Sequence, residues 1–183
     1  MPGPTHHTAL TEPSSWVIRF AGLAREGSAV LDVACGGGRH SRVFLDLGHP
    51  VTALDRDLSR LELPSGTPGF TALERDLEDG GPWPLAGVKF GAVVVANYLY
   101  RPLFPAIIEA LEPGGVLIYE TFALGNERFG RPRHPDHLLN SGELLEAVRG
   151  RLAVIAYEDI ERPPPKRARI QRICAVSPDL SPP

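Results

Sequence analysis

The chain has 183 residues, 43% of them hydrophobic, and a formal net charge of -3; this can bury a core and excludes the low-hydrophobicity, high-charge condition for disorder. Two cysteines, Cys35 and Cys174, exclude a disulfide framework and lack metal-site spacing, and no apolar run approaches the ~20 residues of a membrane helix. A pI near 6.1 gives no overall electrostatic footprint for nucleic acid, while 19 glycines and 19 prolines, about one residue in five against an average of roughly 12%, require an account by position.

Met1 to Leu10 carries neither a positive region nor an apolar run, so no secretory leader is expected and a reducing cytoplasm is the expected setting. The length suits one domain over residues 1–183, with 1–13 and 178–183 as flexible tails. Ser14 to Arg25 reads as a helix, with Trp16, Val17, Phe20, Leu23 and Ala24 at helical spacing. Ala29 to Val33 is a short buried strand, followed by Gly36-Gly37-Gly38 and a helix from Arg39 to Leu47 that ends at Gly48. Val51 to Leu54 is a second strand closed by Asp55, Leu58 to Leu63 a short helix, and Gly69 to Leu73 a weaker strand. Glu74 to Gly87 reads as loop. Ala92 to Ala96 has the unbroken apolar character of a strand covered on both faces.

Leu103 to Leu111 is a helix with Pro102 and Pro105 at its start, where a missing N–H costs little. Pro113-Gly114-Gly115 turns into a strand over Val116 to Thr121, and Phe122 to Leu139 reads as a long loop. A helix over Ser141 to Val148 and strands over Leu152 to Tyr157 and Arg169 to Val176 complete the chain. This alternation predicts an open, mostly parallel, doubly wound α/β sheet.

Chemistry gathers first at Val30 to His40. A strand ending in small residues and glycines before a helix lets backbone approach a ligand and aim N–H groups at it. Asp55 closes the next strand 17 positions after Gly38, where a carboxylate can accept from both hydroxyls of a ribose. The glycines are contiguous, unlike the Gly-x-Gly-x-x-Gly of dinucleotide sites, and Asp32 inside the strand would repel a diphosphate and suit an amine-bearing ligand.

Leu31-Asp32-Val33-Ala34-Cys35-Gly36-Gly37-Gly38 resembles the first motif of class I S-adenosylmethionine-dependent methyltransferases, usually hydrophobic-Asp/Glu-x-Gly-x-Gly-x-Gly. Asp55 resembles the family's ribose-binding acid and Asp76-Leu77 its adenine-contacting pair. Val93 to Tyr98 resembles the fourth motif, and Leu111 to Leu117 is similar to the Leu-x-Pro-Gly-Gly-x-Leu turn. Cys35 to His40, with Gly48-His49-Pro50-Val51, resembles the tellurite-resistance type and related small-molecule methyltransferases.

The resemblance implies a Rossmann-like, seven-stranded sheet whose last strand is antiparallel. It also implies S-adenosyl-L-methionine as cofactor, S-adenosyl-L-homocysteine as product, and cofactor contacts from Asp32, Ala34, Cys35, Gly36, Gly38, Arg39, Asp55, Arg56, Asp76, Leu77 and Asn97. Arg39 would meet the methionine carboxylate. Ala34 replaces the first motif glycine, and Gly91 stands where the family often has Asp.

Methyl transfer from a sulfonium needs chiefly an in-line nucleophile and exclusion of water, so few catalytic residues are expected. Tyr98, Arg101 and His134 are the candidates, beside the bystander reading of each histidine and a packing role for the tyrosines. Asn97 is followed by Tyr-Leu and not Pro-Pro, which argues against planar amine acceptors. The loop from Phe122 to Leu139, with Arg128, Arg131, Arg133, His134 and His137, reads as a lid over a substrate of anionic character. The cations Arg162, Lys166, Arg167, Arg169 and Arg172 read as a partly self-neutralised edge rather than an RNA-binding patch. The expected function is methyl transfer to a small molecule, with an RNA or protein methyltransferase or a non-catalytic cofactor-binding module as alternatives. No metal is expected.

Overall fold

The computed structural model describes residues 12–64 and 66–179; of the expected tails, 1–11 and 180–183 lie outside the described residues. Seven strands form one sheet, β1 (Val30–Val33), β2 (Val51–Asp55), β3 (Phe70–Glu74), β4 (Phe90–Ala96), β5 (Leu111–Phe122), β6 (Ala153–Arg162) and β7 (Ala168–Val176), in the spatial order β3-β2-β1-β4-β5-β7-β6. The first five pair in parallel, and β7 runs antiparallel to both β5 and β6. The expected sheet with an antiparallel last strand is what the chain forms.

Side chains alternate across the sheet with the strand's period of two. Ala92 and Val94 of β4 join Val30 and Ile118 on one face, under Trp16, Val17 and Phe20 of α1 (Ser15–Phe20) and Phe44 of α2 (Arg39–Asp46). Val93 and Val95 join Leu31 and Leu117 on the other, under Ile107 and Ile108 of α3 (Phe104–Glu109) and Leu144 and Val148 of α4 (Glu143–Val148). Burial on both faces explains why β4 is apolar throughout.

Several elements differ from their expected bounds; the helix expected over Leu103 to Leu111 is a 3-10 turn over Arg101–Leu103 followed by α3, and the one expected over Leu58 to Leu63 is a 3-10 turn over Leu58–Arg60. Leu111 already pairs with Phe90, so β5 begins before Pro113-Gly114-Gly115, and the register shifts between Phe90 and Ala92 as the turn bulges out. The first helix shortens to α1 and a 3-10 turn over Ala21–Leu23. Strand β6, expected to end at Tyr157, runs on to Arg162, because Glu158, Asp159 and Glu161 pair in register with Arg172, Gln171 and Arg169.

The chain winds from β1 outward to β3 and then returns to β4 beside β1. Open α/β sheets bind ligands outside the carboxyl ends of their strands where the winding direction changes. Here that crevice opens between Ala34, which follows β1, and Asn97, which follows β4.

Candidate functional site

A cavity of about 510 Å³ occupies this crevice, within the ~300–1,000 Å³ of small-molecule sites. Six of the expected cofactor residues line it: Ala34, Asp55, Arg56, Asp76, Leu77 and Asn97. They come from the ends of β1, β2, β3 and β4, which are far apart in sequence and adjacent in the sheet.

Behind the cavity wall lie Asp32, Cys35, Gly36 and Gly38, which build the turn. Gly38 has φ +78°, and a Cβ there would stand 2.8 Å from the Leu61 side chain, so two separate constraints favour glycine. The Gly36 N–H donates to the Asp55 carboxylate at 2.8 Å, and the Asp57 N–H to its other oxygen at 3.1 Å. The expected ligand-directed N–H of Gly36 is therefore engaged in aiming the acid. Cys35 is buried, and its thiol proton is held more tightly than usual, first by burial and then by the nearby acids Asp32 and Asp55.

Asp32 is almost fully buried and accepts the Ser41 hydroxyl of α2 at 2.7 Å, tying β1 to the helix that follows the glycines. Burial raises its pKa from 3.8 to about 6, against the lowering effect of Ser41 and Arg39. His40, next along α2, is also buried; its Nε2 accepts from the Ser14 N–H at 3.1 Å and from Arg39 Nε at 3.2 Å. Burial, with Arg39, pushes its pKa down to about 3, so the imidazole is neutral near pH 7 and its Nε2 is an acceptor.

The catalytic candidates separate in space. Tyr98 lines the cavity, half-buried, with its phenol donating to Glu78 in the turn that follows β3; burial first, then Glu78, raises its proton affinity. That places the hydroxyl toward the Asp76 side of the site. Arg101 is turned away: its fork holds the Glu143 carboxylate at 2.5 and 2.9 Å, and its nitrogens also donate to the carbonyls of Asp136 and Leu138 at 2.9 and 2.8 Å. His134 is exposed, pairs with Asp136 at 3.4 Å, and does not line the cavity.

The loop from Phe122 to Leu139 is closed at its neck, where Ala123 bridges Leu139, the geometry of an Ω-loop. Buried Asn126 anchors it, donating to the Pro132 carbonyl at 3.1 Å and accepting the Arg169 N–H at 3.2 Å. Phe122, Pro132 and His137 reach the cavity, whereas Arg128 pairs with Glu161 at 3.6 Å. The loop thus presents an imidazole, aromatic and proline surface to the site, and the expected row of arginines does not line it. Sequence reading missed Glu78, which lies in a stretch that reads as plain acidic loop, whereas Thr121 and Phe122 line the cavity in a segment expected at the site, after the fifth strand. Trp83 packs half-buried against the α3/α4 face and not in the cavity.

A second cavity of about 400 Å³ adjoins the first and shares Asn97 with it. Its walls are residues 12–15, Arg39, Glu120 and the turn from Arg162 to Lys166. Among the described residues no group of His, Cys, Asp and Glu could hold a metal ion, and no helix is long and apolar enough to cross a membrane.

No protein-family model matches the chain, and no curated protein matches it in sequence. Solved structures do match in shape. The glycopeptide N-methyltransferase MtfA, complexed with S-adenosyl-L-homocysteine, is 24% identical with a TM-score of 0.63, covering 92% of this chain and 91% of its own. An S-adenosylmethionine-dependent methyltransferase from Mesorhizobium loti is 18% identical with a TM-score of 0.65, covering 87% and 96%. TehB from Haemophilus influenzae is 17% identical with a TM-score of 0.68, covering 90% of this chain and 62% of its own. At these identities the likeness shows the fold: this chain has the architecture of the S-adenosylmethionine-dependent methyltransferases.

Proposed function

We propose that this chain is an S-adenosylmethionine-dependent methyltransferase, carried on a single domain, that methylates a small molecule and releases S-adenosylhomocysteine. The observation that carries the reading is the convergence of Asp55, Asp76, Leu77 and Asn97, from three strand ends, on one cavity behind which lies the glycine turn. The residues fit the cofactor. Asp55 stands at the end of β2 with its carboxylate fixed by two backbone N–H groups, leaving its other lone pairs for ribose hydroxyls. Asp76 and Leu77 line the same wall for the adenine. Asp32, Gly36 and Gly38 shape the turn rather than the cavity surface.

Bound in this cavity, S-adenosylmethionine supplies an electrophilic methyl group on a sulfonium sulfur. The protein's task is then to orient the acceptor and keep water out. Phe122, Pro132 and His137 of the closed-neck loop cover the site from the β5 side. His137 is the titratable group of that loop that reaches the cavity, and a neutral imidazole there can take the proton an acceptor loses. A small acceptor is supported by the size of the second cavity and by the absence, among the described residues, of a second sheet that would recognise a macromolecule. A cytoplasmic setting is supported by two thiols that are both free and buried.

Calorimetry with S-adenosylhomocysteine on the wild type and Asp55→Ala tests the donor site. Tight binding that weakens by about 10–100-fold in the variant is expected for loss of hydrogen bonds to a charged acceptor; no binding, or equal binding, sinks the assignment. Methyl release across thiols, phenols, chalcogen oxyanions and tRNA tests the acceptor class, and a signal from tRNA alone overturns the small-molecule reading.

A further inference from the structure

The cations of the β6–β7 hairpin differ in how they are engaged. Arg172 is mostly buried, pairs with Glu158 at 2.6 Å and Glu120 at 3.3 Å, and stacks over the Trp16 ring at 4.6 Å. Arg169 pairs with Asp159, and Arg167 with Glu161, both at 2.5 Å. Three of the five cations are thus neutralised along the hairpin. Arg162 and Lys166 are not: among the described residues neither has a carboxylate within bridging distance, and Arg162 Nε donates to the Lys166 carbonyl at 2.6 Å, which closes the turn and sets both side chains on the second cavity.

Glu120, the buried acid of that cavity, is already engaged. One oxygen accepts the Ser14 hydroxyl at 2.9 Å and the other faces Arg172. Ser14 is held in turn by His40, so residues 12–15 form a fixed wall and not a loose flap. Arg39 faces the same space, partly buried, where the acids Asp32 and Glu120 act on its charge more strongly than the cation Arg162 does. Arg39, Arg162, Lys166 and Arg172 face two carboxylates, Glu12 and the engaged Glu120, around a cavity that opens at Asn97 onto the first; this excess of cations, two of them outside any ion pair among the described residues, favours an anion.

We infer that the second cavity holds the methyl acceptor and that Arg162 and Lys166 bind an oxyanion group on it, a carboxylate or a phosphate-like group. This rests on the reading of the first cavity as the donor site. The hairpin turn sets acceptor specificity. The anionic character expected from the long loop is thereby assigned to a different segment, the turn that begins at Arg162, 23 positions after Leu139.

The test uses three probes of one shape, benzoate, phenylphosphonate and benzamide, titrated calorimetrically at fixed ionic strength into the protein with S-adenosylhomocysteine present. At least one acid binds saturably and about tenfold or more tighter than the neutral amide, and the tighter of the two acids distinguishes a carboxylate from a phosphate-like group. In Arg162→Gln/Lys166→Gln the preference falls to within about twofold, with unchanged S-adenosylhomocysteine affinity showing that the fold is kept. Lys166→Gln alone, whose ammonium closes no ion pair among the described residues, lowers the preference without touching the turn. Equal binding of acids and amide, no saturable binding, or a preference retained in the double variant overturns the inference. Acids that bind and are lost in the double variant, with no S-adenosylhomocysteine binding, would strike down the donor-site reading instead.

Discussion

Ala34 and Asn97, 63 positions apart, follow the adjacent strands β1 and β4 and both hold left-handed backbone, with φ of +54° and +59°. They are the non-glycine residues with positive φ among those described, and both line the first cavity. Asparagine tolerates this region; alanine does so at a cost of about 1–2 kcal/mol. The strain sits where the family resemblance places a glycine. Ala34→Gly is therefore expected to raise the melting temperature by about 1–4 °C, the relief being partly offset by the freer unfolded chain, while Ala34→Val, β-branched, lowers it. Melting curves of the two variants decide it, and a Gly variant less stable than the wild type refutes the assignment of strain.

Asp32 makes stability depend on pH in a stated direction. Its folded pKa, about 6, lies above the ordinary 3.8, so the native state holds this proton more tightly than the unfolded chain. That contribution is present below pH ~4 and is lost as pH rises through 6. At pH 7.5 the buried carboxylate costs up to about 3 kcal/mol, taking roughly 1.4 kcal/mol per pH unit. Asp32→Asn keeps an acceptor for Ser41 and removes the charge. Urea unfolding of wild type and variant is expected to show the variant more stable at pH 7.5 and the gap closing by pH 4. Reading the difference at each pH removes the opposite contribution of His40, whose lowered pKa is common to both proteins. A constant gap would contradict the role of burial.

Gly91 is explained by crowding and not by chemistry. A Cβ at this position would stand 2.1 Å from the Ser28 hydroxyl and 2.4 Å from its Cβ, which is why the acid common at this place in the resembling family is absent. Gly91→Ala is expected to destabilise by about 1–3 kcal/mol, and Ser28→Gly in the same chain to recover most of it. Chemical denaturation of the single and double variants measures this, and no recovery would place the cost elsewhere.

Arg101 joins Glu143 to the long loop and does not line the first cavity. Its charge-assisted fork joins α4 to the carbonyls of Asp136 and Leu138. Arg101→Ala and Glu143→Ala are each expected to speed proteolysis within residues 131–137, and a double-mutant cycle to show coupling of about 1–2 kcal/mol. Additive effects, or loss of methyl transfer with an unchanged loop, would return Arg101 to the catalytic candidates.

The first cavity was the most legible part of the candidate site. The glycine turn, Asp55, Asp76-Leu77 and Asn97 each sit at the end of a strand whose apolar run and breaker mark it in one dimension. Parallel winding brings strand ends to one edge, so a residue known to close a strand is already placed at the crevice. Arg101, His134 and the arginines of the long loop were not legible in this way. Their roles depend on where a loop folds and which acid lies across from it, and Glu143 is 42 positions from Arg101.

The sequence by itself determined the succession of strands and helices and the turn chemistry, because apolar period, glycine and proline act locally and survive in the linear pattern. Its excess of glycine and proline is resolved in the same way, with glycine at positive-φ turns such as Gly38 and Gly114 and proline at the starts of short helices such as α3. Only the tertiary structure decided which charges are spent and which are left. Glu120, Glu158, Asp159 and Glu161 neutralise Arg172, Arg169 and Arg167 through the antiparallel register of β5, β7 and β6. That pairing depends on contacts between distant segments, and it leaves Arg162 and Lys166 facing the second cavity.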